Sequence, residues 1–271
     1  SFDSDGFGLG TGANGYNDNT ENFVAWQWLA GGGAGSSNEV GSINTTTTTV
    51  NTTAGISIST YTGTGSAATI GHGLGVAPKM IIVKERADDV GGWLIYHEHM
   101  ASDPATDYME LNAAGGPTDD ATVWNDTVPT STVFSIGTHD DVNGSSDTYV
   151  AYCFAEVEGF SKFGFYTGNG NANGVVVHTG FRPAFLLIRK LSTGDPIMHD
   201  NKRPPYNEST LQISARQVTY ETNDYHLDFL SNGWKWRDSQ SYTNASGSTY
   251  IYMAFAEYPF GGEDVTPAPA V

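Results

Sequence analysis

With 271 residues, 33 glycines and a formal charge of −18, the chain is long enough to bury a sizeable core, and its acidity argues against phosphate backbones and anionic lipid, hence against nucleic acid, as partners. Its single cysteine, Cys153, excludes an intramolecular disulfide and a cysteine-rich zinc site. No stretch is apolar for long enough to span a bilayer, so membrane insertion is not expected.

Residues 1–30 open on Ser4-Asp-Gly-Phe7, a tight-turn signal because glycine accepts positive φ, and run on to Phe23-Val-Ala-Trp-Gln-Trp28. That aromatic and β-branched run recurs as Tyr149-Val-Ala-Tyr-Cys-Phe154 and as Tyr250-Ile-Tyr-Met-Ala-Phe255, and Ser231-Asn-Gly-Trp234 repeats the turn. Residues 1–30 therefore predict the closing hairpin of a unit whose opening half is missing upstream. Residues 31–55 carry Gly31-Gly-Gly-Ala-Gly-Ser-Ser37 and the threonines 45–49, a composition for a linker or an edge strand.

Residues 56–164 contain Tyr61-Thr-Gly-Thr-Gly65, and residues 165–260 contain its counterpart Tyr166-Thr-Gly-Asn-Gly170, 105 residues later; Pro78 and Pro183 keep the same offset. Each proline precedes an unbroken apolar run, Met80-Ile-Ile-Val83 or Phe185-Leu-Leu-Ile188. Neither run alternates with period two, which predicts strands buried on both faces. The expected fold is all-β, with two tandem repeated antiparallel sandwich-like units at 56–164 and 165–260, a partial N-terminal unit, and an acidic proline-containing tail at 261–271.

Several constellations carry possible chemistry. Glu156 and Glu257 close the two units, and glycoside hydrolysis would need such carboxylates about 5–10 Å apart; their equivalence in the repeat points instead to a scaffold role. His97 and His99 would share a strand face but lack a third metal ligand. There is no Gly-x-Ser-x-Gly nucleophile elbow, and the Gly-x-Gly triplets read as turns. Acidic clusters at Asp3 and Asp5, Asp88–Asp89, Asp119–Asp120 and Asp140–Asp141 offer oxygens to calcium, the one cofactor left open, although none continues into a calcium loop. No catalytic residue and no metal site are expected. Trp93, Trp124, Trp234 and Trp236 are the candidate ligand-binding residues, as platforms for sugar rings, against the plainer reading that they fill the core. Asn-x-Ser/Thr sequons at Asn44, Asn51, Asn125, Asn143, Asn207 and Asn244 are of the kind that arise by chance in so Asn- and Thr-rich a chain.

The segments Gly55-Ile-Ser-Ile-Ser-Thr-Tyr-Thr-Gly63, His72-Gly-Leu-Gly-Val-Ala-Pro-Lys-Met-Ile-Ile-Val-Lys84, Ala151-Tyr-Cys-Phe-Ala-Glu-Val-Glu-Gly-Phe-Ser-Lys-Phe-Gly164 and Leu227-Asp-Phe-Leu-Ser-Asn-Gly-Trp234 resemble a duplicated domain of uncharacterised function. That domain is widespread in bacteriophage genomes, especially marine ones, in proteins labelled tail-fibre or structural. The resemblance spans about residues 1–260, and the ending Pro259–Val271 departs from it. It implies a non-enzymatic virion component, a tail fibre or other surface appendage, assembled in the host cytoplasm. Its expected partners are other virion proteins, further copies in a homo-oligomer and, in the alternative reading of a receptor-binding module, a host-surface glycan. A polysaccharide depolymerase is the third and weakest alternative. The family's frequent lectin-like jelly-roll segment ahead of this domain agrees with the half unit at the start.

Overall fold

The two unbroken apolar runs lie in the middle of two large antiparallel sheets. The computed structural model describes residues 2–3, 6–10, 17, 22–87, 91–100, 102–217 and 221–258. Strands β1 (Phe2–Asp3) and β2 (Gly6–Phe7) form a minimal hairpin. The first half contains β3 (Thr47–Asn51), β4 (Ile56–Thr62), β5 (Ala68–Gly71), β6 (Met80–Glu85), β7 (Trp93–His97), β8 (Asp107–Glu110), β9 (Thr118–Asp119), helix α1 (Ala121–Trp124), β10 (Val133–Ile136), helix α2 (Asp140–Asn143) and β11 (Thr148–Phe154). The second half contains β12 (Ser161–Thr167), β13 (Val176–His178), β14 (Pro183–Lys190), β15 (Ile197–Asp200), β16 (Ile213–Ser214), β17 (Leu227–Leu230), β18 (Gly233–Trp236) and β19 (Thr249–Ala256). No helix among the described residues is long and apolar enough to cross a membrane.

Hydrogen bonding orders the first sheet β3-β4-β11-β6-β7-β8-β9 and the second β12-β19-β14-β15-β16. The stretch β4-β11-β6-β7-β8 thus has the strand order of the whole second sheet, and β12 occupies there the place of β4. A smaller sheet accompanies each: β5 with β10 in the first half, β13-β18-β17 in the second.

The large sheets pack face to face. Met80, Ile82 and Phe154 of the first share one core with Phe163, Phe185 and Phe255 of the second. On its other face the first sheet turns Ile81, Val83 and Tyr149 toward a cover of β5, β10 and the two helices. The second turns Leu186, Ile188 and Tyr250 toward β13-β18-β17. The molecule is therefore four layers deep, and its middle strands have no solvent face, which is why Met80–Val83 and Phe185–Ile188 show no polar alternation. The halves are fused through this shared core rather than strung as separate beads. Phe255, with rings of Phe154, Phe163, Phe185 and Phe160 around it, sits where truncation to alanine costs about 3–5 kcal/mol.

Each half also builds the same buried lock. Tyr61 stacks on Tyr149 at 5.2 Å, and Tyr166 on Tyr250 at 4.9 Å. The Tyr61 hydroxyl donates to the Val142 carbonyl at 2.7 Å, and that of Tyr166 to Thr243 at 2.6 Å. Burial pushes both hydroxyls well above the ordinary tyrosine range, so they remain donors. Asn143 accepts from the Thr64 N–H and donates to the carbonyls of Ser66 and Gly137; Asn244 accepts from the Asn169 N–H and donates to Asn171 and Asp238. The Tyr-Thr-Gly motif is explained by this approach of backbones: a Cβ on Gly63 would lie 2.2 Å from the Gly144 oxygen, and one on Gly168 2.4 Å from the Ala245 oxygen.

The opening segment departs from the expected hairpin. Residues 22–30 alternate in burial as a strand would but join no ladder. β11 and β19 are strands because β4 and β6, or β12 and β14, satisfy both their edges; no strand pairs with 22–30 among the described residues, and Trp26 and Trp28 pack instead against the central core. Trp26 and Trp28 both meet the Phe185 ring edge-on at 5.3 Å. The tail 261–271 and Asp5, Asp88 and Asp89 of the acidic clusters lie outside the described residues.

Candidate functional site

Burial separates the four tryptophans proposed as sugar platforms. Trp124 is buried in α1 with its ring edge-on to Tyr96 at 6.2 Å. Trp234 and Trp236 do share a face of β18, but it is the face turned into the second half's core: Trp234 packs against Tyr252 at 4.8 Å, and the Trp236 indole N–H donates to the Tyr166 hydroxyl at 3.0 Å. These three are core residues, corrected from the candidate set because no ligand can reach a ring already enclosed. Trp93, at the start of β7, is 37% exposed and stacked beside Tyr152 at 6.5 Å, so it alone keeps a solvent-facing ring.

Two of the titratable residues singled out in the sequence, His99 and Glu156, line a polar cleft of about 440 Å³ where the two large sheets meet, while His97 and Glu257 lie outside its lining. Lys79 Nζ lies 2.5 Å from Glu98, whose other oxygen is 3.4 Å from His99. Lys162 Nζ lies 2.6 Å from Glu156, which also accepts the Phe163 N–H at 3.3 Å. Glu156 thus fastens the end of β11 to β12. Glu257 does the equivalent work in the second half, 2.9 Å from Arg182 and 3.7 Å from Lys202. Phe165, 56% exposed, closes one side of the cleft with the His99 ring 5.0 Å away.

His97 is not available to a metal. Its Nδ1 accepts the His99 N–H and its Nε2 faces the Tyr252 carbonyl, both at 3.2 Å, so the ring bridges the two sheets. Burial pulls its pKa down to about 3, which keeps the imidazole neutral. Asp120 caps α1 by accepting from Thr122, and Asp140 and Asp141 lie in the first turn of α2, where acidic side chains suit the helix dipole. Among the described residues no group of three or more His, Cys, Asp or Glu is placed to hold a metal ion.

A second concavity lies under residues 22–30 and was not visible in the sequence. It measures about 610 Å³ and is lined by Trp26, Trp28, Phe160, Phe185 and Phe255 together with Asp200, Asn201 and Lys202. Asp200 has partners on both oxygens: it accepts from the N–H groups of Lys202 and Arg203 and from the Arg203 guanidinium at 2.6 Å. Burial alone would raise its pKa, but these hydrogen bonds and the Arg203 charge together outweigh it and hold the carboxyl below the usual range. The signal that could have found this wall is the period-two spacing of Val24, Trp26, Trp28 and Ala30, which turn inward while Phe23, Ala25, Gln27 and Leu29 turn out.

The fold defines an all-β protein of face-to-face antiparallel sheets, each with its own outer cover. The chain belongs to the family described as Domain of unknown function (DUF7483), whose profile matches residues 1–259 and so takes both sheets as one unit. No curated protein and no solved structure matches it.

Proposed function

We propose that the protein is a non-catalytic component of a bacteriophage particle, a tail fibre or other surface appendage, displayed in many copies beside other particle proteins, and that its two halves are copies of one unit. The resemblance of its motifs supports the setting, and the paired locks support the duplication. The single observation that carries the non-catalytic part is the commitment of the carboxylates: Glu98, Glu156 and Glu257 are each spent on a cation of the scaffold. Purified particles are the test. Mass spectrometry should find the chain in them and antibody labelling should place it on an appendage, while the isolated protein should release no reducing ends from host polysaccharide. Its absence from particles, or cleavage lost in Glu156→Gln, would overturn the proposal.

Recognition of a host-surface glycan is a second reading, favoured by the cavity under residues 22–30, whose two tryptophans and three phenylalanines form the kind of wall on which sugar rings stack. Many copies on one particle turn weak single contacts into firm attachment where geometry lets them engage together. Retention of the protein on host polysaccharide without cleavage is the expected result.

A further inference from the structure

Two polar groups in the wall of this cavity are idle. Asn201 is 6% exposed, and neither the oxygen nor the nitrogen of its carboxamide has a hydrogen-bond partner; the Trp26 indole N–H, equally shielded, has none. A buried donor or acceptor left unmet is destabilising, and native proteins rarely leave one without a reason. The neighbours of Asn201 are not short of partners, since Asp200 is held by Lys202 and Arg203. A carboxamide left idle in that company fits a partner supplied from outside the chain.

The rest of the wall defines that partner. At about 610 Å³ the cavity has the size of a small-molecule site, commonly about 300–1,000 Å³. A carboxamide offers an acceptor beside two donors, so its complement presents a donor and an acceptor side by side, and the indole N–H asks for a further acceptor. The aromatic walls ask for a ring with an apolar face and favour a small apolar substituent. The charged groups of the lining are already matched, Asp200 by Arg203 and Lys202 by Glu257, so none of them asks for a charged ligand.

We propose that the cavity binds an N-acetylated amino sugar, with the N–H and C=O of its acetamido group meeting Asn201 and its ring lying against Trp26 and Trp28. This rests on the glycan-recognition reading and narrows it to a sugar class. Because both idle groups are shielded, the strap 22–30 has to yield on entry. Among the described residues its backbone joins no backbone–backbone hydrogen bond, and the tie found is from the Asn51 side chain to the Leu29 carbonyl at 3.0 Å. The strap opens to admit the ring and closes over it.

The test is titration of the full chain with N-acetylglucosamine and N-acetylgalactosamine beside glucose and galactose, read by calorimetry and by saturation-transfer NMR. The expected result is a preference of about tenfold or more for the acetylated sugars. Asn201→Leu should erase the preference without lowering the denaturation midpoint, since it removes an unmet polar group, and Trp28→Ala should weaken binding of every sugar. Equal binding of acetylated and parent sugars, or a preference that survives Asn201→Leu, would overturn the acetamido assignment and leave the glycan reading standing. No binding of any sugar at about 100 mM, far above ordinary millimolar affinities, would overturn both.

Discussion

In the first half of the molecule the tyrosine pair lies beneath β5, β10 and two four-residue helices, with Trp124 filling the space; in the second it lies beneath a three-stranded sheet, with Trp234 and Trp236 filling it. The lock under these unlike covers is the same. Its residues, Tyr61, Gly63, Asn143 and Tyr149 against Tyr166, Gly168, Asn244 and Tyr250, are those whose side chains, or lack of one, decide which main-chain groups meet. A cover needs only apolar volume on a face, and a helix or a strand supplies that equally well. A lock needs a particular donor beside a particular carbonyl. The halves differ again at one margin: β3 covers the outer edge of β4, whereas β12, in the corresponding place, ends its sheet.

The largest effects are expected at the locks. Asn143 and Asn244 are fully buried, and each satisfies at least three polar groups. Truncation to alanine orphans those groups at about 1–3 kcal/mol apiece, less what water and relaxation recover, so Asn143→Ala and Asn244→Ala should each cost about 3–5 kcal/mol in guanidinium denaturation. The two costs should agree within about 1 kcal/mol. A loss at one site with near-neutrality at the other would break the comparison between the halves.

Acid separates two buried histidines that occupy adjacent registers of corresponding strands. Burial pulls the pKa of both His97 and His199 down to about 3 from an ordinary value of 6.5. The unfolded chain takes up protons once the pH drops below about 6.5, while the folded chain does so only near 3, so the stability these groups hold is whole above 6.5 and drains as pH falls. Each should lose about 2 kcal/mol between pH 7 and pH 5, seen in denaturation midpoints across that range. Replacement distinguishes them at pH 7. Both ring nitrogens of His97 are hydrogen-bonded, Nε2 across to the second sheet and Nδ1 to the His99 N–H, whereas neither nitrogen of His199 has a hydrogen-bond partner. His97→Leu should therefore destabilise by about 1–3 kcal/mol, and His199→Leu should be near neutral while removing its share of the acid sensitivity.

Much of this fold could be read from the chain, for reasons that also mark where reading stops. Met80–Val83 and Phe185–Ile188 show that a strand is covered on both faces, because any solvent face would need polar residues; they cannot say that the cover on one side is the other half. The turn at Asn232-Gly233 was legible because its backbone chemistry is local, and β17 and β18 pair across it from Leu230 to Gly233. Phe23–Trp28 carries the pattern of β11 without the neighbours that make β11 a strand, so pattern alone overstated it. The site fared worse, since tryptophan has the same composition signal in a core as on a binding surface: Trp124, Trp234 and Trp236 stood out, and Trp26 and Trp28 were passed over as strand. Asn143 and Asn244 looked like sequons, yet both precede a lock tyrosine by six residues, a coincidence that pointed to their buried role.

The smallest expected effect lies at the two closing glutamates, and it asks whether equivalent positions carry equivalent energy. Glu156 has one cation, Lys162, in a pair whose side chains are 29% and 38% exposed. Glu257 is 15% exposed and has two, Arg182 and Lys202. Solvent screens the first pair and side-chain entropy opposes it, so Glu156→Gln should cost no more than about 1 kcal/mol, and less in high salt. The deeper Glu257, bonded to a planar guanidinium that holds its geometry, should cost about 1–2 kcal/mol as Glu257→Gln and respond less to salt. A double-mutant cycle with Lys162→Met and Arg182→Met measures each pair apart from the packing of its stem. Should Glu156 prove the more costly, burial and cation number would not be what sets these pairs apart, and a further partner in the cleft beside Lys79 and Glu98 would have to be sought.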